Sequence, residues 1–209
     1  MKVEYQTLKT AASAEFTERR SRFIGDCAPV SSEAEATAFL QKIKVRYREA
    51  KHHVYAYSLR QGNITRHSDD GEPQGTAGMP VLDVLLKTGV TDAVMVVTRY
   101  FGGILLGTGG LVRAYSHAAS IALEQSGIAV MQLCSLLEVS CEYAQYSVVN
   151  ALIAQHGGSV EQTDYTDCVK IRFHIEKSRL KDFHNALSNA TCGSCSAELL
   201  SEQYLDLKI

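Results

Sequence analysis

Hydrophobic and polar residues alternate most regularly in the second half of the chain. From Val169 to Glu176 every second residue is apolar and those between are charged or histidine, the pattern of a strand with one buried face. The same alternation predicts strands over about 133–141 and 197–207, and a further strand before Val169. Apolar residues at helical spacing predict a helix from Tyr146 and another capped by Ser178. The order β-α-β-β-α-β is that of the ferredoxin-like fold.

The first half contains three helical patterns. Ser32 followed by Glu35 forms a capping box, which predicts a helix with an apolar face between Phe39 and Tyr47. Pro80 suits the first turn of a helix, and the apolar residues after it extend to Gly89. The third helix is predicted from about Thr108 to Ser126, where Gly127 follows it.

Strands are predicted between these helices at about residues 20–30, 53–59, 64–67 and 93–98. The last of them is a continuous apolar run, as in a strand buried on both faces. Together the patterns predict the α+β class with two domains, residues 1–130 and residues 131–209.

Length and composition are those of an ordinary globular protein. The chain has 209 residues, of which 45% are hydrophobic and 21% charged, and its formal net charge is −2. Its apolar runs are far shorter than the roughly 20 residues of a membrane helix, and the N-terminus lacks the apolar stretch of a signal peptide. We therefore expect a cytoplasmic protein without a membrane partner, and we expect any nucleic-acid binding to depend on a local basic patch.

The six cysteines are scattered along the chain, so we expect buried reduced thiols rather than disulfides. Cys192 and Cys195 form a lone CxxC. A structural zinc site needs a second pair of ligands, and a redox motif should open a helix. We expect cysteines of a loop here, and the sequence leaves a redox role open.

The loop from His67 to Pro80 gathers three glycines, two prolines and several acids. Its candidate site residues are Ser68, Asp69, Asp70, Glu72 and Thr76. Oxygen ligands of this kind suit Mg²⁺, which takes one or two carboxylates together with phosphate and water. The alternative is an acidic turn in which an aspartate binds its own backbone. His53, on a preceding strand, is either a general base or a packing residue.

A second segment, Thr98 to Tyr115, joins the buried strand to the third helix through a glycine-rich turn. Its candidate site residues are Arg99, Gly102, Gly103, Gly107, Thr108, Gly109, Gly110 and Arg113. Free amides and the positive end of the helix dipole suit phosphate or another anion, and arginine adds paired hydrogen bonds. No lysine follows Gly107 as in a Walker A loop, and Val112 replaces the third glycine of a dinucleotide fingerprint. The structural alternative is close packing of the helix on the strand.

Four motifs carry a resemblance to a known family. They are SRFIG (Ser21–Gly25), HHVYAY (His52–Tyr57), SDDGEPQGTAG (Ser68–Gly78) and TRYFGGILLGTGGLVRAY (Thr98–Tyr115). In this order they resemble the IMPACT family, including its bacterial YigZ-type members, and they cover about residues 20–127. The second half is similar to the small C-terminal domain of the bacterial members in pattern rather than in motif.

The resemblance implies a first domain similar to domain 2 of ribosomal protein S5, and a ferredoxin-like second domain similar to the C-terminal domain of elongation factor G. It also implies RNA or ribosome binding and a role in the regulation of translation, because eukaryotic members act as translational regulators with the help of an additional RWD domain. Only about 20 residues precede the match here, so we do not carry over that mode of partner binding. The resemblance supplies no catalytic residue.

Two hypotheses follow. In the first, the protein binds RNA or the ribosome and holds phosphate at the glycine-rich junction between Arg99 and Arg113, with no cofactor. In the second, it is a Mg²⁺-dependent phosphotransferase or phosphohydrolase, in which Asp69, Asp70 and Glu72 hold the metal while the glycine-rich turn holds the phosphate. The sequence does not identify the RNA, a substrate, a protein partner or the oligomeric state.

Overall fold

The computed structural model of the chain describes residues 4–206. They form two compact units, Tyr5–Val130 and residues 131–206 together with Glu4. Among these residues no helix is both long and apolar enough to cross a membrane. All six cysteines are free thiols, and Cys192 is the exposed member of the CxxC whereas Cys195 is buried.

The first unit is built on an antiparallel sheet with the order β2-β3-β6-β4-β5. The strands of this sheet are β2 (Ala12–Glu18), β3 (Ser21–Pro29), β4 (His52–Leu59), β5 (Ile64–Ser68) and β6 (Ala93–Tyr100), and β1 (Glu4–Leu8), which precedes them in the chain, is not part of it. The helices are α1 (Glu33–Arg46), α2 (Gly78–Thr88) and α3 (Thr108–Ser126), and a short 3-10 turn covers Gln61–Asn63. The first two strands were not predicted from the sequence.

Strand β6 is buried on both faces, as its apolar run predicts. Val94 and Val96 pack on one side with residues of α1, among them Leu40. Met95 and Val97 pack on the other side with residues of α2 and α3. The central strand therefore sits between two helical layers, and its end at Tyr100 leads into the glycine-rich turn.

The predicted cap of α1 is confirmed, with one difference. The Oγ of Ser32 accepts a hydrogen bond from the backbone amide of Glu35 at 3.2 Å. The carboxylate of Glu35 accepts from the backbone amide of Ser31 at 2.7 Å, one residue earlier than in a standard capping box.

The second unit has the ferredoxin-like arrangement that the alternation predicts. Its elements are β7 (Ile128–Cys141), α4 (Tyr146–Gln155), β8 (Ser159–Tyr165), β9 (Val169–Glu176), α5 (Leu180–Ala190) and β10 (Ala197–Asp206). The strand order is β8-β9-β7-β10 and all pairs are antiparallel. The apolar residues of β9 are fully buried against α4 and α5. Leu207, at the predicted end of the last strand, lies outside the described residues.

The predicted cap at Ser178 is wrong. A 3-10 turn, Lys177–Arg179, intervenes, and α5 begins at Leu180. The Ser178 hydroxyl donates to the carboxylate of Glu176 at 3.1 Å instead of accepting from a helix amide. The α+β class and the two fold types are otherwise as predicted.

Candidate functional site

Asp69 closes the start of α2. Its carboxylate accepts hydrogen bonds from the backbone amides of Gly75, Ala77 and Gly78 at 2.9, 3.1 and 2.8 Å. Burial raises the pKa of this carboxyl, but the three amides outweigh burial, and the pKa lies below its ordinary value. Because the cap reaches Gly78, α2 begins two residues before the predicted start at Pro80.

The side-chain carboxylate of Asp70 binds the backbone amide of His53. The amide of His53 donates to Oδ2 of Asp70 at 2.7 Å, and Lys44 lies 3.6 Å from Oδ1. The Nε2 of His53 donates to the carbonyl of Tyr47 at 3.2 Å, whereas its Nδ1 is 4.0 Å from Asp70. Burial lowers the pKa of His53, so the ring is neutral and its donor is already used. This is the arrangement of a packing residue.

Glu72 forms a buried charged cluster with Arg99. Oε1 of Glu72 accepts from Nη1 of Arg99 at 2.6 Å and from the hydroxyl of Tyr115 at 2.7 Å. The side chains of Arg99 and Glu72 are 6% and 5% exposed. Burial, with the nearby Glu72 carboxylate, raises the pKa of Tyr115, which keeps the hydroxyl protonated as a donor. Arg99 is therefore occupied by a protein carboxylate.

The remaining side chains of the acidic loop shape its turns. The hydroxyl of Thr76 donates to the carbonyl of Pro73 at 2.7 Å. The Oγ of Ser68 accepts from the amide of Asp70 at 3.2 Å. Both groups are thus used locally, as in the acidic-turn alternative.

The glycine-rich turn, residues 101–107, lies against the hairpin between β2 and β3. A Cβ on Gly102 would lie 2.0 Å from the carbonyl carbon of Arg20, so this position requires glycine for packing. Its amide donates to Oγ of Ser21 at 3.2 Å. Gly103 and Gly107 have positive φ, at 83° and 73°, with open space around them.

The start of α3 is open. Gly107 is its N-cap and has no side chain to offer, and the first backbone bond runs from the amide of Leu111 to the carbonyl of Gly107 at 2.9 Å. Within residues 4–206 no group accepts a hydrogen bond from the amides of Thr108, Gly109 and Gly110. These amides and the dipole of a 19-residue helix make the helix start electropositive.

A pocket of about 410 Å³ brings the two predicted segments together. It is lined by Lys51, His52, Glu72, Pro73, Arg99, Phe101, Leu105, Leu106, Gly107, Thr108 and Leu111. Glu72 of the acidic loop thus meets Gly107 and Thr108 of the glycine-rich junction. We call this space the α3 pocket.

Arg113 lines a second pocket of about 230 Å³. Its neighbours there include Arg19, Gly110 and His117, and Leu106 lines both pockets. The structure therefore places Arg99 and Arg113 in different pockets, although the sequence placed them at the two ends of one anion site. Gly110 packs beneath Leu106, with the Leu106 Cβ 3.0 Å from the position of an added Cβ.

Comparison with known proteins assigns the α3 pocket and most of the second pocket to a shared domain. The Impact N-terminal domain matches residues 19–123, and the domain of unknown function DUF1949 matches residues 139–194. The chain is 34% identical over 203 residues to the IMPACT family member YvyE of Bacillus subtilis, covering 97% of this chain and 94% of the relative. The chain belongs to the IMPACT family.

The chain is also similar to other members of the IMPACT family and to a solved structure. The member YigZ of Escherichia coli is 35% identical over 189 residues, covering 88% of this chain and 92% of YigZ. The Protein IMPACT homolog of Dictyostelium discoideum matches 48% of this chain and 29% of its own length, at 40% identity. A solved structure described as the crystal structure of a hypothetical protein has a TM-score of 0.62 and 31% identity, covering 97% of this chain and 100% of that one.

The metal site of the second hypothesis is not assembled in this member of the IMPACT family. Asp69, Asp70 and Glu72 each bind a different set of protein groups. Across residues 4–206 no group of three His, Cys, Asp or Glu side chains is placed to hold a metal ion.

Sequence reasoning missed several residues of the α3 pocket. The pocket is also lined by Lys51, Phe101 and Leu105. The hydroxyl of Tyr115 donates to the carboxylate of Glu72. Phe101 and Tyr115 lie inside the family motif, where their apolar character indicates only core packing. Their roles depend on contacts between segments distant in sequence, which periodicity does not report.

Proposed function

We propose that the first unit binds RNA by holding a backbone phosphate at the start of α3, as part of a translation-linked role on ribosomes. The three open amides of Thr108, Gly109 and Gly110 carry this proposal. The other two helices of the unit each have a side-chain acceptor at their start: Ser32 accepts from the amide of Glu35 in α1, and Asp69 accepts from the amide of Gly78 in α2. An open, electropositive helix start beside a pocket suits phosphate.

Basic groups at the mouth of the α3 pocket support an anionic ligand. Lys51 is exposed, and no carboxylate within residues 4–206 pairs with it. His52 is partly exposed, and its Nδ1 donates to the carbonyl of Asp70 at 2.9 Å. A local basic site of this kind is compatible with a chain whose net charge is −2.

The translation-linked part of the proposal rests on membership of the IMPACT family, whose eukaryotic members act as translational regulators. The pairing of an S5-like domain with a ferredoxin-like domain similar to that of elongation factor G supports the same role. This part is an analogy of fold, so it is tested on ribosomes as well as on isolated RNA.

The test compares two variants of equal charge change. Thr108→Glu places a carboxylate at the open amides, where it competes with phosphate. Gln61→Glu makes the same change at an exposed position beyond the far end of β4. We measure the affinity of full-length protein for a short single-stranded RNA and for ribosomes over a salt series.

We expect Thr108→Glu to weaken RNA binding roughly tenfold or more, since about 1.4 kcal/mol of lost or repulsive interaction gives a factor of ten. Wild-type affinity should fall with salt, because bound phosphates release counterions. Gln61→Glu should bind like the wild type. Equal binding by Thr108→Glu and Gln61→Glu would overturn the proposal.

Lys51→Ala and Arg113→Ala then locate the contact. A loss confined to Lys51→Ala supports the α3 pocket, and a loss confined to Arg113→Ala assigns binding to the second pocket and overturns this placement. Arg99→Ala is unsuitable here, because it would leave the buried carboxylate of Glu72 without its partner and confuse folding with binding.

A further inference from the structure

Glu72 presents an unused acceptor to the α3 pocket. Its Oε1 receives both protein hydrogen bonds, from Arg99 and Tyr115. Its Oε2 receives none from any group in residues 4–206, although the side chain is only 5% exposed and lines the pocket. This oxygen is open to the pocket rather than sealed in the core, so a ligand that brings an N–H or O–H group can donate to it.

The positively charged side chain of Arg99 lies beside Glu72. Nε of Arg99 is buried and has no partner within the described residues, so the cluster at the pocket floor leaves one donor unused. Glu72 and Arg99 both line the pocket, and the open amides of α3 begin at Thr108, which lines it as well. The pocket thus combines an open acceptor at Glu72 with open donors at the start of α3.

An aromatic surface completes the pocket. Phe101 is 54% exposed, and its ring centroid lies 5.4 Å from the guanidinium carbon of Arg99, which holds the ring beside the buried cluster. Exposed rings of this kind are the surfaces on which unstacked bases of single-stranded RNA lie. A volume of about 410 Å³ is also in the range of pockets that hold a small organic ligand.

We infer that the α3 pocket binds one unstacked nucleotide bearing an amino group on its base. Its phosphate lies at the open amides of α3, its base stacks on Phe101, and its exocyclic amine donates to Oε2 of Glu72. The inference rests on the proposed RNA binding and adds the identity of the recognised unit. Adenine and cytosine carry such an amine, and carboxylates accept from it, whereas uracil presents a carbonyl oxygen at the same edge.

The experiment measures the binding of labelled rA5, rC5 and rU5 to full-length protein at one salt concentration. We expect rA5 and rC5 to bind about tenfold more tightly than rU5, the factor that corresponds to about 1.4 kcal/mol. Glu72→Gln keeps an oxygen for Arg99 and Tyr115 but offers an amide donor to the pocket. It should reverse the preference toward rU5.

Phe101→Leu provides a second variant whose folding is not at risk, because the ring is largely exposed. It keeps an apolar side chain without a stacking face and should weaken all three oligonucleotides by a similar factor, about fivefold or more. A thermal melt of each variant accompanies the titrations. If Glu72→Gln does not fold, Phe101→Leu and the wild-type preference decide the matter.

Competition with free AMP and UMP distinguishes a free nucleotide from RNA as the ligand of the pocket. Competition by AMP at micromolar concentration assigns the pocket to free nucleotides, and its absence with intact oligonucleotide preference assigns it to RNA. Equal binding of all three oligonucleotides, with a loss in Thr108→Glu, overturns the nucleotide inference and leaves the proposed phosphate site standing. Unchanged affinity in Phe101→Leu also overturns the inference. Absence of any oligonucleotide binding by the wild type overturns both proposals.

Discussion

The helix starts of α2 and α3 are in opposite states, although both follow a glycine-containing loop of the same unit. Asp69 reaches across its loop and accepts hydrogen bonds from the amide of Gly75 in the loop and from the amides of Ala77 and Gly78 at the start of α2. The start of α3 has a glycine at its N-cap and no side-chain acceptor within residues 4–206. Asp69 and Asp70 of the first loop therefore hold the fold, and only Glu72 of its acids also faces the α3 pocket. The segment with fewer charges is the one whose helix amides stay open.

This contrast has a general lesson for locating sites. A cluster of charges in a sequence suggests chemistry, yet the loop with Asp69, Asp70 and Glu72 is largely satisfied by its own protein. Donors at a helix end and a carboxylate oxygen that both stay open to one pocket are better markers, because they remain available to a ligand.

The largest effect on stability is expected when Glu72 is removed, because this acid belongs to both the first loop and the α3 pocket. Glu72→Ala leaves Arg99 buried without its carboxylate, so we expect a loss of about 3–5 kcal/mol in the free energy of unfolding. Urea denaturation measures it. The double variant Glu72→Ala/Arg99→Ala should lose less than the sum of the two single changes, and strict additivity would contradict a coupled pair.

Removing the cap of α2 should have the next largest effect. Asp69→Ala frees three amides, and we expect a loss of roughly 2 kcal/mol in the free energy of unfolding. Thr108→Ala at the start of α3 removes no capping contact and should change stability by less than about 0.5 kcal/mol. Similar losses in the two variants would mean that the two helix starts do not differ as described.

Acid should weaken the cap of α2. The pKa of Asp69 is lower in the folded chain than its ordinary value, so its contribution to stability is present above the unfolded pKa, near 3.8, and is lost as pH falls through the folded pKa. Asp69→Asn should therefore be less stable than the wild type at pH 7, and the gap between them should narrow below about pH 4. Urea midpoints of both proteins across this range test it, and a constant gap would contradict the ionised cap.

The smallest effect is expected when a negative charge is added at the open start of α3. Thr108→Glu adds an anion to the open amides of α3, and we expect it to raise the free energy of unfolding by about 0.5 kcal/mol. Met79→Glu makes a matching change in the first turn of α2, where the Asp69 carboxylate already accepts from the amides of Ala77 and Gly78, so its gain should be smaller. Thermal melts at low salt resolve the difference. A destabilised Thr108→Glu would also remove it as a clean test of RNA binding.

Periodicity predicted the fold where each element is determined locally. The alternation of β9 and the cap of α1 at Ser32 depend on residues within one element, and both predictions are confirmed. The start of α2 was misplaced because its cap, Asp69, stands nine residues before Gly78. Ser178 failed as a cap because the neighbouring carboxylate of Glu176 uses its hydroxyl.

The candidate site was predictable only in part for a similar reason. Glycines before a helix indicate an open helix start, and this feature of α3 is visible in the sequence. The pairing of Arg99 with Glu72 joins residues 27 positions apart, and that of Glu72 with Tyr115 joins residues 43 apart. No local pattern encodes these contacts, so the sequence left Arg99 free for phosphate when the fold assigns it a carboxylate.

The packing of Gly102 against the hairpin at Arg20 and Ser21 also sets when the site can appear during synthesis. Ser21 leaves the ribosome early, but its hydroxyl meets the amide of Gly102 only after the intervening chain has emerged. The hydrogen bond to Glu72 likewise forms only after Tyr115 has been synthesised. A nascent chain that ends before α3 therefore carries all the acids of the first loop and no finished pocket. The α3 pocket of a newly made chain can therefore be completed only after α3 has left the ribosome.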